Sequence, residues 1–146
     1  MSAKVKSLEN LLVSAWGISF IATLGSLYFS EVMKFIPCEL CWFQRIFMYP
    51  QVILLGMAAI RKEYHIARYS LVLSIIGGAI SLYHYLIQKV SFFQERAISC
   101  GQVPCTGQYI NWFGFITIPF LALTAFALIA IISTIMIRKM KEGNLS

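Results

Sequence analysis

Long apolar runs separated by short polar connections set the character of the chain. A helix needs about 20 mostly apolar residues to cross the hydrocarbon core of a bilayer. Four stretches meet that length: about Leu11 to Phe29, Trp42 to Ile60, Tyr69 to Ile87 and Phe113 to Ile137. The short alternating segments of a membrane barrel are absent, so the expected spanning element is the helix. On the third run Ser74, Gly77, Gly78 and Ser81 fall at small-xxx-small spacing, which lets another helix come close. Pro50 and Pro119 stand inside the second and fourth runs and are expected to bend them. The first run is longer than the apolar part of a signal peptide and no A-x-A site follows it, so it is expected to be a retained span.

Composition agrees with this pattern. Of 146 residues 59% are apolar and 12% charged, and the mean hydropathy is +0.75. A soluble domain carries about a quarter charged residues, so these charges are too few to cover a water-facing surface. Disorder needs low hydrophobicity and is excluded with it. The length predicts one integral membrane domain over residues 1–146.

The net charge of +6 does not point to nucleic acid, because the basic residues form short clusters rather than a face for phosphates. They are orientation marks instead. Lys4, Lys6, Arg61, Lys62, Arg68, Arg138, Lys139 and Lys141 fall on one side of the four spans, against Lys34, Lys89 and Arg96 on the other. Both termini are therefore expected to be cytoplasmic, with outward loops at about 30–41 and 88–112. Trp42, Phe43, Trp112 and Phe113 mark the outer interface. Val90, Phe93 and Ala97 sit at helical spacing, as in a short surface helix or a plain loop. The fold class expected is an all-α membrane protein, a four-transmembrane-helix bundle.

All four cysteines, Cys38, Cys41, Cys100 and Cys105, fall in the two outward loops, on the side where disulfides persist. Three chemistries fit: two structural staples, a four-thiolate zinc site, or a relay of two dithiol pairs. A Cys-x-x-Cys ring is small and gains little as a staple. Four thiolates match a zinc site in number but have no evident task at an oxidising surface. Placement favours the relay, in which electrons pass by thiol–disulfide exchange.

The residues around the first pair sharpen that reading. Pro37 precedes Cys38 and favours a helix start, which puts both cysteines in the first turn. Free N–H groups and the helix dipole stabilise a thiolate there, with Glu39 opposing somewhat. Arg45 follows Cys41 by four residues, so the two share a helix face. An arginine inside a span is costly. It either snorkels to the headgroups or places a fixed charge beside a reactive sulfur and a polar, membrane-soluble ligand. Gln44 adds a hydrogen-bonding group near the same place. The chain carries no phosphate-binding glycine loop, no Ser/His/Asp arrangement and no cluster of metal-ligating histidines.

Pro37-Cys38-Glu39-Leu40-Cys41-Trp42-Phe43-Gln44-Arg45 resembles the Cys-x-x-Cys-x3-Arg signature of the DsbB family of disulfide-bond formation proteins. Within it the chain is most similar to the short BdbC-type members of Gram-positive bacteria, and the likeness covers nearly the whole chain. The resemblance implies a thiol:quinone oxidoreductase of the bacterial cytoplasmic membrane with its redox cysteines outside. Such a protein reoxidises an extracytoplasmic thioredoxin-fold thiol oxidase (DsbA- or BdbD-like) and passes two electrons to a quinone, here menaquinone rather than ubiquinone. It uses no metal and no flavin.

By position, the resemblance makes Cys41 the cysteine that meets the quinone, Arg45 its charge partner, and Cys38 its disulfide partner and link to the second loop. Cys100 and Cys105 form the pair that exchanges with the partner protein, Cys100 being attacked and Cys105 passing the disulfide to Cys38. Gln44 and His84 fall near the quinone pocket by the same carry-over, although a histidine at a span end serves equally as a satisfied interface residue. One departure stands out. Only four residues separate Cys100 from Cys105, where the family's best-known form spaces this pair widely.

Overall fold

A computed structural model describes residues 3–32, 34, 39–90, 92 and 118–143. Four long helices account for nearly all of them: α1 (Ala3–Leu27), α2 (Glu39–Arg61), α3 (Ile66–Lys89) and α4 (Ile118–Glu142). Each has 23 to 25 residues, about 35–38 Å at 1.5 Å per residue, against a hydrocarbon core of about 30 Å. All four are long and apolar enough to span a membrane. The chain is therefore all-helical with four candidate spans. The start of the expected fourth run, and Val90 to Ile98 apart from residues 90 and 92, lie outside the described residues.

The helices pack in chain order around a ring. α1 lies against α2, α2 against α3, α3 against α4, and α4 closes on α1, while the diagonal pair α2 and α4 scarcely meet. Contacts between opposite ends set consecutive helices antiparallel: Lys62 of the α2–α3 turn meets Glu9 of α1, Tyr85 of α3 meets Phe120 of α4, and Lys139 of α4 meets Ser7 of α1. The C-terminal ends of α1 and α3 thus share one end of the bundle with the N-terminal ends of α2 and α4. At the opposite end the α2–α3 turn is built on Lys62 at φ 59°, with the Glu63 N–H donating to the Ala58 carbonyl at 3.0 Å. A left-handed residue followed by this wide bond is the usual way to stop a helix, here with lysine where glycine is common. Lys62 also pairs with Glu9 at 3.2 Å, tying that turn to α1.

Large apolar side chains stand on the surface, and the interior mixes apolar with polar ones. Ile21, Ile53, Ile60, Tyr69 and Ile131 are exposed, whereas Ser19, Gln51, Ser70, Ser74 and Ser133 are buried. Lipid tails are as apolar as leucine, so helices in a membrane gain little from hiding it and more from close packing and internal hydrogen bonds. Between α2 and α3 the Gln51 Oε1 accepts from both Ser70 and Ser74 at 3.3 Å. The apolar centre is filled by Leu8, Leu12, Leu55, Phe126, Ile129 and Met136.

Gly77 shows what the small residues of α3 are for. A Cβ placed there would stand 2.5 Å from two ring carbons of Phe126 on α4, well inside contact distance. At Gly78 the nearest atom would be an ordinary 3.6 Å away, so only one of the two glycines is required. Gly77→Ala is expected to destabilise the bundle by about 1–3 kcal/mol, the usual cost of overpacking. Gly78→Ala is expected to be near neutral, and Phe126→Leu to recover much of the Gly77→Ala loss. Thermal unfolding in detergent reads all three.

α2 continues through Pro50, where the missing N–H leaves the Ile46 carbonyl without its usual donor. Pro119 stands in the first described turn of α4, not deep inside a span. The residues before Ile118, which decide whether Pro119 bends a longer helix, lie outside the described residues.

Candidate functional site

At the end of the bundle shared by the α1 C-terminus and the α2 N-terminus, α1 gives way to a π-helical turn, Tyr28–Val32. Wide turns of this kind loosen the backbone ladder. Here the Ser26 carbonyl, just before the turn, and the Ser30 hydroxyl within it both accept from Arg45 Nη2, the former at 3.3 Å. The guanidinium also lies over the Trp42 ring, 5.4 Å from its centroid. Arg45 is therefore held by protein groups on α1 and α2, in place of the headgroup contact that snorkelling would give it.

Cys41 is the third residue of α2, in the first described turn, and is half-buried. The four-residue spacing to Arg45 puts both side chains in the wall of one cavity of about 430 Å³. Its polar end is formed by Ser26, Ser30, Cys41, Gln44, Arg45 and Tyr49. Tyr49 points its hydroxyl at Ser26 Oγ, 3.5 Å away. The rest of the wall is apolar but for Thr124, whose hydroxyl donates to the Phe120 carbonyl at 2.9 Å, and runs down α1 as far as Ile18 and along α4 from Leu121 to Leu128. From Ile18 to Ser30 is roughly 18 Å along the helix axis. A volume within the usual range for ligand sites, polar at one end only, suits a compact polar head on an apolar tail.

His84 reaches this region from α3 by a different side. It is 1% exposed and is not part of the cavity wall. Its Nδ1 lies 3.0 Å from Gln44 Nε2 and 4.0 Å from Cys41 Sγ, the reach of a hydrogen bond to sulfur. Cys41 and Gln44 thus face the cavity on one side and the imidazole on the other. Cys38, Cys100 and Cys105 lie outside the described residues, as does Pro37.

The sequence reading missed the α1 and α4 contributions. Ala22, Gly25 and Ser26 of α1 line the cavity, and their helical spacing as a small-residue face is the signal for it in the sequence. Nothing in the sequence marks the π turn that brings Ser30 to Arg45.

The family profile described as "Disulfide bond formation protein DsbB" matches residues 9–136 of the chain. Among curated proteins, "Probable disulfide formation protein C 1" of Bacillus anthracis is 64% identical over 133 residues, covering 91% of this chain and 96% of its own. "Disulfide bond formation protein C" of Bacillus subtilis is 58% identical over 120 residues, 82% of this chain and 87% of its own. A "Probable disulfide formation protein" of Oceanobacillus iheyensis is 49% identical over 140 residues, 95% and 97% of the two chains. No solved structure matches.

Proposed function

The chain belongs to the DsbB family of disulfide bond formation proteins, and on that footing we propose that it is a membrane thiol:quinone oxidoreductase. It reoxidises an extracytoplasmic thioredoxin-fold thiol oxidase of the DsbA or BdbD kind by disulfide exchange and passes the electrons to a membrane quinone. The termini are cytoplasmic, which sets the cavity end of the bundle outward. The likeness to Gram-positive relatives makes menaquinone the quinone.

The observation that carries the reading is the pairing of Cys41 and Arg45 in the wall of one cavity with a polar end and a long apolar remainder. That lining fits a quinone. Arg45 and Tyr49 supply donors for a ring carrying two carbonyl oxygens, and Ile18, Ile21 and Leu128 make an apolar slot for an isoprenoid tail. When bound, the quinone accepts two electrons and two protons. Cys41, at the helix start, holds the sulfur as thiolate against that end of the cavity. Arg45 keeps a positive charge there, fixed in direction by Ser26 and Ser30, where negative charge builds up. Cys38 closes the disulfide with Cys41, and Cys100 with Cys105 exchanges with the partner.

The test is quinone consumption by the purified protein in detergent with a reduced thioredoxin-fold partner. One quinone is expected to disappear for each partner dithiol oxidised, menaquinone analogues faster than ubiquinone ones. Partner thiols verified as reduced, with neither quinone consumed, would overturn the proposal.

A further inference from the structure

Glycine inside a helix is less favourable than alanine, so each one needs a reason. Gly56 and Gly77 have theirs in the chain itself. A Cβ would stand 3.0 Å from the Trp16 indole nitrogen in the first case and 2.5 Å from the Phe126 ring in the second. Gly25 has no reason of this kind: among the described residues nothing lies within 4 Å of the place its Cβ would take. Nor does it stop the helix, because α1 runs on to Leu27 and then into the π turn.

The open space beside Gly25 belongs to the cavity. Along α1 the wall runs from Ser26 at the polar end through Gly25 and Ala22 to Ile21 and Ile18, and the Ser26 carbonyl is the one that accepts from Arg45. Gly25 therefore stands where the polar end meets the apolar remainder. Backbone left bare there lets a ligand approach more closely than any side chain would.

We propose that Gly25 sets which quinone head the cavity prefers: the flat, fused second ring of a naphthoquinone lies against its bare backbone. The assignment rests on the thiol:quinone reading above and gives the preference for a two-ring head a residue of this chain. The two classes of head differ beyond the dicarbonyl ring. A naphthoquinone carries a fused ring in the same plane, whereas a ubiquinone-type head carries two methoxy groups that stand out of it. A flat ring packs at about 3.5–4.0 Å on a surface with no protruding atom and gains contacts over its whole face. Methoxy groups hold their ring off the same surface, so bare backbone favours the naphthoquinone. A methyl at position 25 would impose that separation on the fused ring as well.

The oxidised protein without a reduced partner turns over no quinone, so binding is read in detergent as the rise of the thermal midpoint with quinone concentration. The probes are a short-tailed naphthoquinone and a short-tailed dimethoxybenzoquinone. Gly25→Ala is expected to weaken naphthoquinone binding about tenfold, within the range for one methylene in an apolar pocket, and dimethoxybenzoquinone binding about twofold. Gly25→Leu is expected to remove naphthoquinone binding. The control is Gly17→Ala: its Cβ position is equally open but lies outside the cavity wall, and it is expected to bind both heads as the wild type does. Without quinone, both alanine variants are expected to unfold at or above the wild-type midpoint, since alanine favours the helix and meets no described neighbour. During turnover with reduced partner the same ratios are expected in KM. Equal weakening of the two heads by Gly25→Ala would make Gly25 a wall with no part in the choice of head, and unchanged binding of both would put the ring elsewhere. Either result overturns the assignment and leaves the thiol:quinone reading standing. A wild-type midpoint that neither quinone moves overturns the two together.

Discussion

Cys41→Ser is expected to abolish quinone reduction, to below about one part in a thousand of the wild-type rate, while leaving the bundle folded. The change replaces sulfur by oxygen at one half-buried position in the first described turn of α2, and packing changes of that size cost little. The chemical change is total. A hydroxyl forms no disulfide with Cys38, and at neutral pH it offers no counterpart of the thiolate that does the attacking in exchange chemistry. Cys100 and Cys105 are untouched by the substitution, so the variant is expected still to form a mixed disulfide with the reduced partner. Losing either of those two is expected to do the reverse, stopping partner oxidation while the first pair remains able to react with quinone. The split between the two half-reactions is the informative result. A Cys41→Ser protein that consumed quinone in step with partner thiols would move the electron exit to another cysteine and remove the cavity from the mechanism.

The sequence showed the spans more readily than the helices that contain them. α1 begins at Ala3, eight residues before the apolar run at Leu11, because Lys4, Lys6, Glu9 and Asn10 end the membrane signal without ending the helix. Backbone hydrogen bonds continue into the interface, where charged side chains are solvated and cost nothing. Hydropathy reads burial in lipid; helix ends are set by caps and turns, as at Lys62. The local part of the site was equally legible: a four-residue spacing on a helix puts Cys41 and Arg45 on one face whatever surrounds them. The tertiary part was not. Gln44 meets His84 across 40 positions of chain, and Gly77 meets Phe126 across two helices. Such pairings depend on rotation of one helix against another, which side-chain packing sets and periodicity does not. The contacts of His84 with Cys41 and Gln44 are of this kind and have no mark in the sequence.

Arg45→Met is expected to lower kcat/KM for quinone about 100-fold, most of it as a raised KM. The substitution keeps a long side chain and removes a charge beside the polar end of the cavity. A hydrogen bond from a charged group to a ligand contributes about 1.5–3 kcal/mol, and a loss that falls equally on the bound quinone and on its reduction is read in KM. Arg45→Lys is expected to recover only part of the loss, since an ammonium retains the charge but is more strongly hydrated and presents no planar set of five donors. A purely mechanical role must be separated from this one, because Arg45 also ties the π turn at the end of α1 to α2. Ser30→Ala makes the separation: it removes a tie and leaves the charge in place. If Arg45 acts electrostatically, Ser30→Ala changes KM by no more than about threefold, and Arg45→Met retains a thermal midpoint close to wild type while its KM rises. If Arg45 is a clasp, the two variants lose stability together and quinone kinetics follow stability. Normal quinone kinetics in a folded Arg45→Met protein would leave the charge without a task, and the cost of setting an arginine this deep in a span would then need another explanation.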